Sequence, residues 1–170
     1  MALKRQKKVP QIPRTREKSI DKMKYSTPKK KEGEIEYICN VYFYFNPHSK
    51  KQQYCFSVEK IKLFSSLNYE LTLMAGKKKK EIDISVLGLK AKQVYFTESG
   101  PAVGSVCFED VYGEHIVNLI KPDGTINSAD FSFNMFKKEI ILLKEFMPAK
   151  KNNRKFCKFK VADSYFTFGS

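Results

Sequence analysis

Ile35-Glu36-Tyr37-Ile38-Cys39-Asn40-Val41-Tyr42-Phe43-Tyr44-Phe45-Asn46 is the passage from which the architecture can be read. Tyr37, Cys39, Val41, Phe43 and Phe45 lie on one face of an extended chain, and Ile38, Asn40, Tyr42 and Tyr44 on the other. A period of two in β-branched and aromatic residues predicts a long strand with a core face and an amphipathic face. Asn46-Pro47-His48-Ser49-Lys50-Lys51 follows as a turn, because proline cannot donate to a ladder and the cluster is polar.

The same alternation continues downstream. A second strand is predicted over 53–64, and the change of parity between Val58 and Ile61 marks a bulge near Glu59-Lys60. Strands over 69–75 and 81–89 flank Gly76-Lys77-Lys78-Lys79-Lys80, a hairpin tip with four cations. A short strand over 93–97 ends at Ser99-Gly100-Pro101. Strands over 103–109 and 115–120 bracket Val111-Tyr112-Gly113-Glu114 as a hairpin, and Lys121-Pro122-Asp123-Gly124-Thr125 is a tight turn. Residues 131–135 alternate as a strand. Residues 139–146 read as another strand or a short helix, since Phe136, Ile140, Leu143 and Met147 also fall at helical spacing. After a basic loop over 150–155, Cys157, Phe159 and Val161 alternate with Lys158 and Lys160, and Tyr165-Phe166-Thr167-Phe168 closes the chain. The predicted fold is all-β, or mainly β with one short helix. It is an antiparallel β-sandwich or barrel over residues 34–170, preceded by a flexible basic arm over 1–33.

Charge separates the two parts. The 170 residues carry 32 Lys+Arg against 18 Asp+Glu, a formal +14, which argues against an acidic tail protein or a neutral small-molecule carrier. Residues 1–33 hold twelve of the basic groups and three of the acidic ones, a net +9, and the remaining 137 residues hold +5. Few large apolar residues accompany Pro10, Pro13 and Pro28, so burial cannot offset the entropy of ordering this segment unless a partner holds it. No run approaches the ~20 apolar residues of a membrane helix, and residues 1–31 lack the apolar stretch of a secretory signal. A soluble intracellular protein is expected, cytoplasmic, or nuclear if the source is eukaryotic. Lys4-Arg5-Gln6-Lys7 and Pro28-Lys29-Lys30-Lys31 resemble nuclear addresses.

Little catalytic chemistry is on view. Cys39, Cys55, Cys107 and Cys157 are far apart, with no C-x-x-C pair, and each stands in an apolar strand, so they read as buried reduced thiols. His115 with Glu109, Asp110 and Glu114 could bind a metal or transfer protons, yet acidic loop residues beside a histidine are more often solvated. Gly100-Pro101-Ala102-Val103-Gly104-Ser105 lacks the lysine and the helix of a phosphate loop. No cofactor, no metal and no catalytic residue is implied.

Basic loops interleaved with aromatics carry the functional expectation. Lys50-Lys51, Lys77 to Lys80, and the cluster Lys150, Lys151, Arg154 and Lys155 all fall at predicted turns. Gathered at one end of the body, they would form a positive surface with Lys4, Arg5, Lys7, Lys8, Arg14, Arg16, Lys29, Lys30 and Lys31 of the arm. Tyr42 and Tyr44 could stack on bases, although half-buried core or second-sheet positions explain them better. In composition alone, a basic arm on a small β body resembles ribosomal and other ribonucleoprotein components. The expected function is a non-catalytic module docking on nucleic acid, RNA more than DNA, or on a ribonucleoprotein. The rivals are a protein-interaction subunit and, further back, a ligand-binding or hydrolytic domain.

Overall fold

The computed structural model describes residues 16–64, 68–92 and 100–162. The expected strand over 93–97 and the closing segment Tyr165–Phe168 lie outside them. One helix, α1 (Arg16–Tyr25), precedes nine strands: β1 (Tyr37–Asn46), β2 (Lys51–Phe64), β3 (Tyr69–Lys78), β4 (Glu81–Ala91), β5 (Gly100–Phe108), β6 (Gly113–Ile120), β7 (Ile126–Asn134), β8 (Glu139–Phe146) and β9 (Cys157–Val161). The stretch that read as strand or helix is therefore a strand. Its helical spacing was incidental, since Ile140 is buried while Ile141 and Leu143 are exposed.

Alternation in β1 turns Tyr37, Cys39, Val41 and Phe43 inward, as their sequence predicts. They meet Tyr54, Phe56 and Val58 of β2, Ile82, Ile84 and Val86 of β4, Val117 and Leu119 of β6, and Phe131 and Phe133 of β7 in one core. Aromatic edges link nearby strands and, between Tyr54 of β2 and Phe133 of β7, opposite walls. Tyr54 lies 4.9 Å from Phe133 and 5.2 Å from Phe43, and Phe131 lies 6.1 Å from Phe159.

The nine strands form one mixed sheet in the order β8-β7-β6-β4-β3-β5-β2-β1-β9, nearly closed into a barrel. Purely antiparallel pairing, the expected arrangement, is corrected: β1 with β9, β4 with β6, and β3 with β5 are parallel. Local alternation marks a strand but not its neighbour. The predicted β5–β6 hairpin is corrected for the same reason, because the β3–β4 hairpin stands between those two strands. Residues 109–112 must instead span it, and Val111 ends fully buried in the core. The bulge foreseen in β2 appears as a register shift against β5 between Glu59 and Leu63.

Two seams complete the wall. At one, β3 and β5 share a single bridge, Glu70 with Val103, and approach so closely that a Cβ on Gly104 would lie 2.4 Å from the Leu71 carbonyl oxygen. At the other, side chains replace the ladder between β8 and β9. Asn127 Oδ1 accepts the Phe156 and Cys157 N–H groups at 2.7 and 2.8 Å, and its Nδ2 donates to the Ile126 and Arg154 carbonyls. Glu145 Oε1 accepts Phe159 N–H at 2.6 Å, and its Oε2 accepts Lys155 Nζ at 2.8 Å.

The cysteines also need correction. Cys55 and Cys107 are register partners on β2 and β5 and form a disulfide, while Cys39 and Cys157 are free and buried. Burial pushes the Cys39 thiol up to about 12. A separation of 52 residues hid the pair, because only the placing of β5 beside β2 brings the sulfurs together.

Residues 16–33, expected as part of a free arm, fold onto the barrel together with 34–36. Ile20 of α1 is buried against Ile120, Ile126, Met23 and Met74 on the outer face. Lys24 pairs with Glu81 at 2.9 Å and Asp83 at 3.3 Å. Asp83, Asn118 and Ser128, adjacent on β4, β6 and β7, continue this contact as a hydrogen-bonded row of 2.7 and 2.6 Å. A ten-residue helix with two apolar contacts is unstable alone; the barrel wall makes it.

The strap after α1 ends in an ion cluster. Glu36 accepts both Lys121 Nζ, at 2.9 Å, and Arg154 Nη2. Burial opposes its charge, yet the bonds from Lys121 and Arg154 hold its pKa below the ordinary 4.5. A carboxylate of depressed pKa contributes stability that is present above its unfolded pKa and lost as pH falls through its folded one.

Replacing Asn127 with Ala leaves two buried N–H groups without acceptors and should cost about 2–6 kcal/mol in urea unfolding. Loss below 1 kcal/mol would mean that the seam does not depend on this amide. Melting temperature followed downward from pH 5 should fall less steeply for Glu36→Gln than for the unmodified chain, and parallel curves would place the acid sensitivity elsewhere.

Candidate nucleic-acid interface

Strand directions decide where the loops go. β1 and β2 pair through Asn46 with Lys51, β3 and β4 through Lys78 with Glu81, and β7 and β8 through Asn134 with Glu139. Gly113 of β6 pairs with Phe133, Glu81 of β4 with Ile116, and Phe108 of β5 with Tyr54. The tips of the β1–β2, β3–β4 and β7–β8 hairpins, and the loop 109–112, therefore share one end of the barrel.

The loop 109–112 is the hub of that end. Glu109 accepts Lys51 Nζ at 2.7 Å and Gln53 Nε2 at 3.2 Å. The Asp110 carbonyl accepts Lys77 Nζ, and the Tyr112 ring meets Phe136 edge-on at 6.5 Å. Each neighbouring hairpin is thus tied to the segment whose Val111 plugs the core. In sequence, the turns and the hub carry eight lysines, Lys50, Lys51, Lys77 to Lys80, Lys137 and Lys138, against Glu81, Glu109, Asp110, Glu114 and Glu139, a net +3.

Two features of this end are not what a fold alone selects. Among the described residues, Lys50, Lys79, Lys138 and Asn152 are the non-glycine residues with positive φ, at 53°, 53°, 50° and 58°. Three of the four are lysines, one on each hairpin tip. The left-handed conformation crowds Cβ against the backbone, and glycine or asparagine is the usual occupant. Phe136 is 90% exposed and Tyr112 65% exposed, in turns where polar residues are usual.

The expected site residues divide between the two ends. Lys77, Lys78, Lys79 and Lys80 are all exposed at the hub end. Lys78 also reaches Asp21 of α1 at 3.4 Å. The cluster over 150–155 lies at the other end, where β9 begins beside Tyr37, and most of it is engaged internally. Lys150 Nζ donates to the carbonyls of Lys24 and Gly124, satisfying one carbonyl in the last turn of α1. Arg154 is 8% exposed and paired with Glu36, and Lys155 is paired with Glu145. Arg154 thus leaves the expected cationic surface, because the strap before β1 brings a carboxylate over it. Lys29, Lys30, Lys31 and Lys151 are exposed at this second end. Arg16 opens α1, and Lys4, Arg5, Lys7, Lys8 and Arg14 lie outside the described residues.

Of the rival acid–base cluster, His115 turns toward the core. His115 is buried, its ring 6.0 Å from Phe133 and its Nδ1 3.4 Å from the Gly113 carbonyl. Burial, with Lys77 and Lys80 nearby, lowers its pKa below the ordinary 6.5 against the opposing Gly113 bond. Glu109 points instead to Lys51 and Gln53.

Tyr112, Phe136, Lys137 and Lys138 were not singled out from sequence. Their signal was present in large aromatics at turn positions, but the mistaken β5–β6 hairpin kept Tyr112 apart from Phe136. On β1, Tyr42 is half-buried and Tyr44 38% exposed. Compared with known proteins, the chain matches no family model, no curated protein and no solved structure.

Lys79→Gly should raise stability by up to about 1 kcal/mol by relieving the left-handed backbone, net of glycine's entropy. The same change at Lys80 should not, and equal responses in chemical denaturation would dissociate the effect from backbone conformation.

Proposed function

We propose that this chain is a non-catalytic module that docks on nucleic acid, RNA in preference to DNA, or on a ribonucleoprotein, through the hub end of its barrel. The observation that carries the reading is the set of lysine-bearing hairpin tips around the exposed Tyr112–Phe136 pair, all tied to the loop 109–112. Lysines on short tips neutralise phosphates without reading sequence, and exposed rings provide surfaces on which bases stack. The chain before α1 adds Lys4, Arg5, Lys7, Lys8 and Arg14 with no acidic residue before Glu17, a further source of counter-charge.

The reading places the module inside the cell. The Cys55–Cys107 bridge pulls the other way, since disulfides are rare in reducing compartments. A subunit of a protein assembly is the second reading. It draws on Ile141, Leu143 and Met147, 43–50% exposed along and just after β8. Such a complex would survive nuclease treatment of an extract, whereas docking on nucleic acid predicts its loss.

Binding of the full chain to a mixed-sequence RNA between about 50 and 200 mM salt tests the first reading. Lys50→Gln, Lys79→Gln, Lys80→Gln and Lys137→Gln together should flatten the slope of log K against log salt by roughly 3, one counterion term for each contact. An unchanged slope would remove the hub end from binding.

A further inference from the structure

Resting on that reading, we infer that the hub end selects unpaired bases, and that its ligand is single-stranded nucleic acid gripped between stacking rings and tip lysines. The Tyr112 and Phe136 rings come from separate loops and touch only edge to face, at 6.5 Å with planes 81° apart. Edge contact leaves ring faces uncovered, and Phe136 is 90% exposed. An unpaired base offers a π-face of matching size, whereas the bases of a duplex are already stacked on each other and present only their edges.

The surroundings distinguish a nucleic-acid strand from a protein partner. Lys77 is bonded to the Asp110 carbonyl, two residues from Tyr112, and Lys137 and Lys138 follow Phe136 directly. Aromatic anchors in protein interfaces are enclosed by residues poor in lysine. Here cations stand on both sides of the rings, as a strand with a phosphate beside each stacked base requires. Amide side chains that could read base edges in a duplex are engaged at this end: Asn46 Oδ1 accepts the His48 and Ser49 N–H groups, Asn134 Oδ1 accepts Lys137 N–H, and Gln53 Nε2 donates to Glu109. Placing Lys50, Lys79 and Lys138 in left-handed backbone, at the expense of stability, keeps a cation on each tip around the rings.

The chain contains no tryptophan, so Phe136→Trp places its single tryptophan at the site, where it can be excited apart from the tyrosines. Its emission should be quenched by a short oligouridylate and not by an RNA hairpin stem of equal charge. In anisotropy titrations of the full chain, Tyr112→Ala and Phe136→Ala should each weaken oligouridylate binding roughly 5- to 150-fold, the worth of one stacked base. Stem binding and the salt slope should stay as they were. Both side chains are largely exposed, and a melting curve matching that of the unmodified chain confirms that the variants fold. Equal losses on strand and stem, no loss on either, or an unquenched tryptophan at saturating oligouridylate would overturn selection of unpaired bases. Should the unmodified chain bind neither probe at low salt, the nucleic-acid reading itself falls. Lysine-dependent binding with no aromatic dependence would defeat only this inference.

Discussion

A sheet that curls back on itself must satisfy the backbone groups of its last two strands, and here side chains do so. Asn127 uses two donors and two acceptor bonds in spanning from β7 to the start of β9, and Glu145 accepts the Phe159 N–H where a ladder carbonyl would ordinarily stand. β1 holds β9 along one edge through a parallel ladder; those bonds hold its other edge, and β9 carries Phe159 and Cys157 into the core. Buried backbone donors are costly when unpaired, so this edge of the closure depends on these two residues. The opposite seam relies on the absence of a side chain: Gly104 lets β5 pass Leu71 at a distance no Cβ would permit.

Closure has a consequence for the ends. With β3 and β4 inserted between β5 and β6, the link 109–112 must cross at one end of the barrel, and Val111 is drawn into the interior. The crossing segment then becomes the anchor for the hairpins around it. At the other end the same need to cover a core is met by Glu36, Lys121 and Arg154, whose charges are used against each other, with Lys121 5.3 Å from the Phe156 ring centre. Lys121, Lys150, Arg154 and Lys155 at that end brace the fold, while Lys50, Lys79 and Lys138 at the hub end stand on tips whose backbone glycine would suit better.

Helix α1 shows how narrowly local sequence can mislead. Ile20 and Met23, three apart, are its apolar contacts in a segment whose mean hydropathy reads as linker. Their acceptor surface, Ile120, Ile126 and Met74, is assembled from three strands that sequence places fifty to a hundred residues away. Lys24 likewise looks like one more cation of a basic arm until Asp83 and Glu81 are set beneath it. The same blindness hid the disulfide and the pairing of Tyr112 with Phe136.

Sequence alone determined most of the strands, leaving 139–146 open between strand and helix. Alternation in residues 35–46, the bulge after Glu59, the Lys-rich tip at 77–80 and the turn at 121–125 are encoded within a few residues, because pleat and turn geometry act at that range. Which strands became neighbours was decided only by the tertiary structure, and with it which lysines face outward together. Strand pairing is a contest among all exposed edges and all apolar faces at once, and burial of a common core settles it. For that reason the lysines of 150–155 looked in sequence like those of 77–80, while in the folded chain Arg154 is buried against Glu36 and Lys79 stands on a tip.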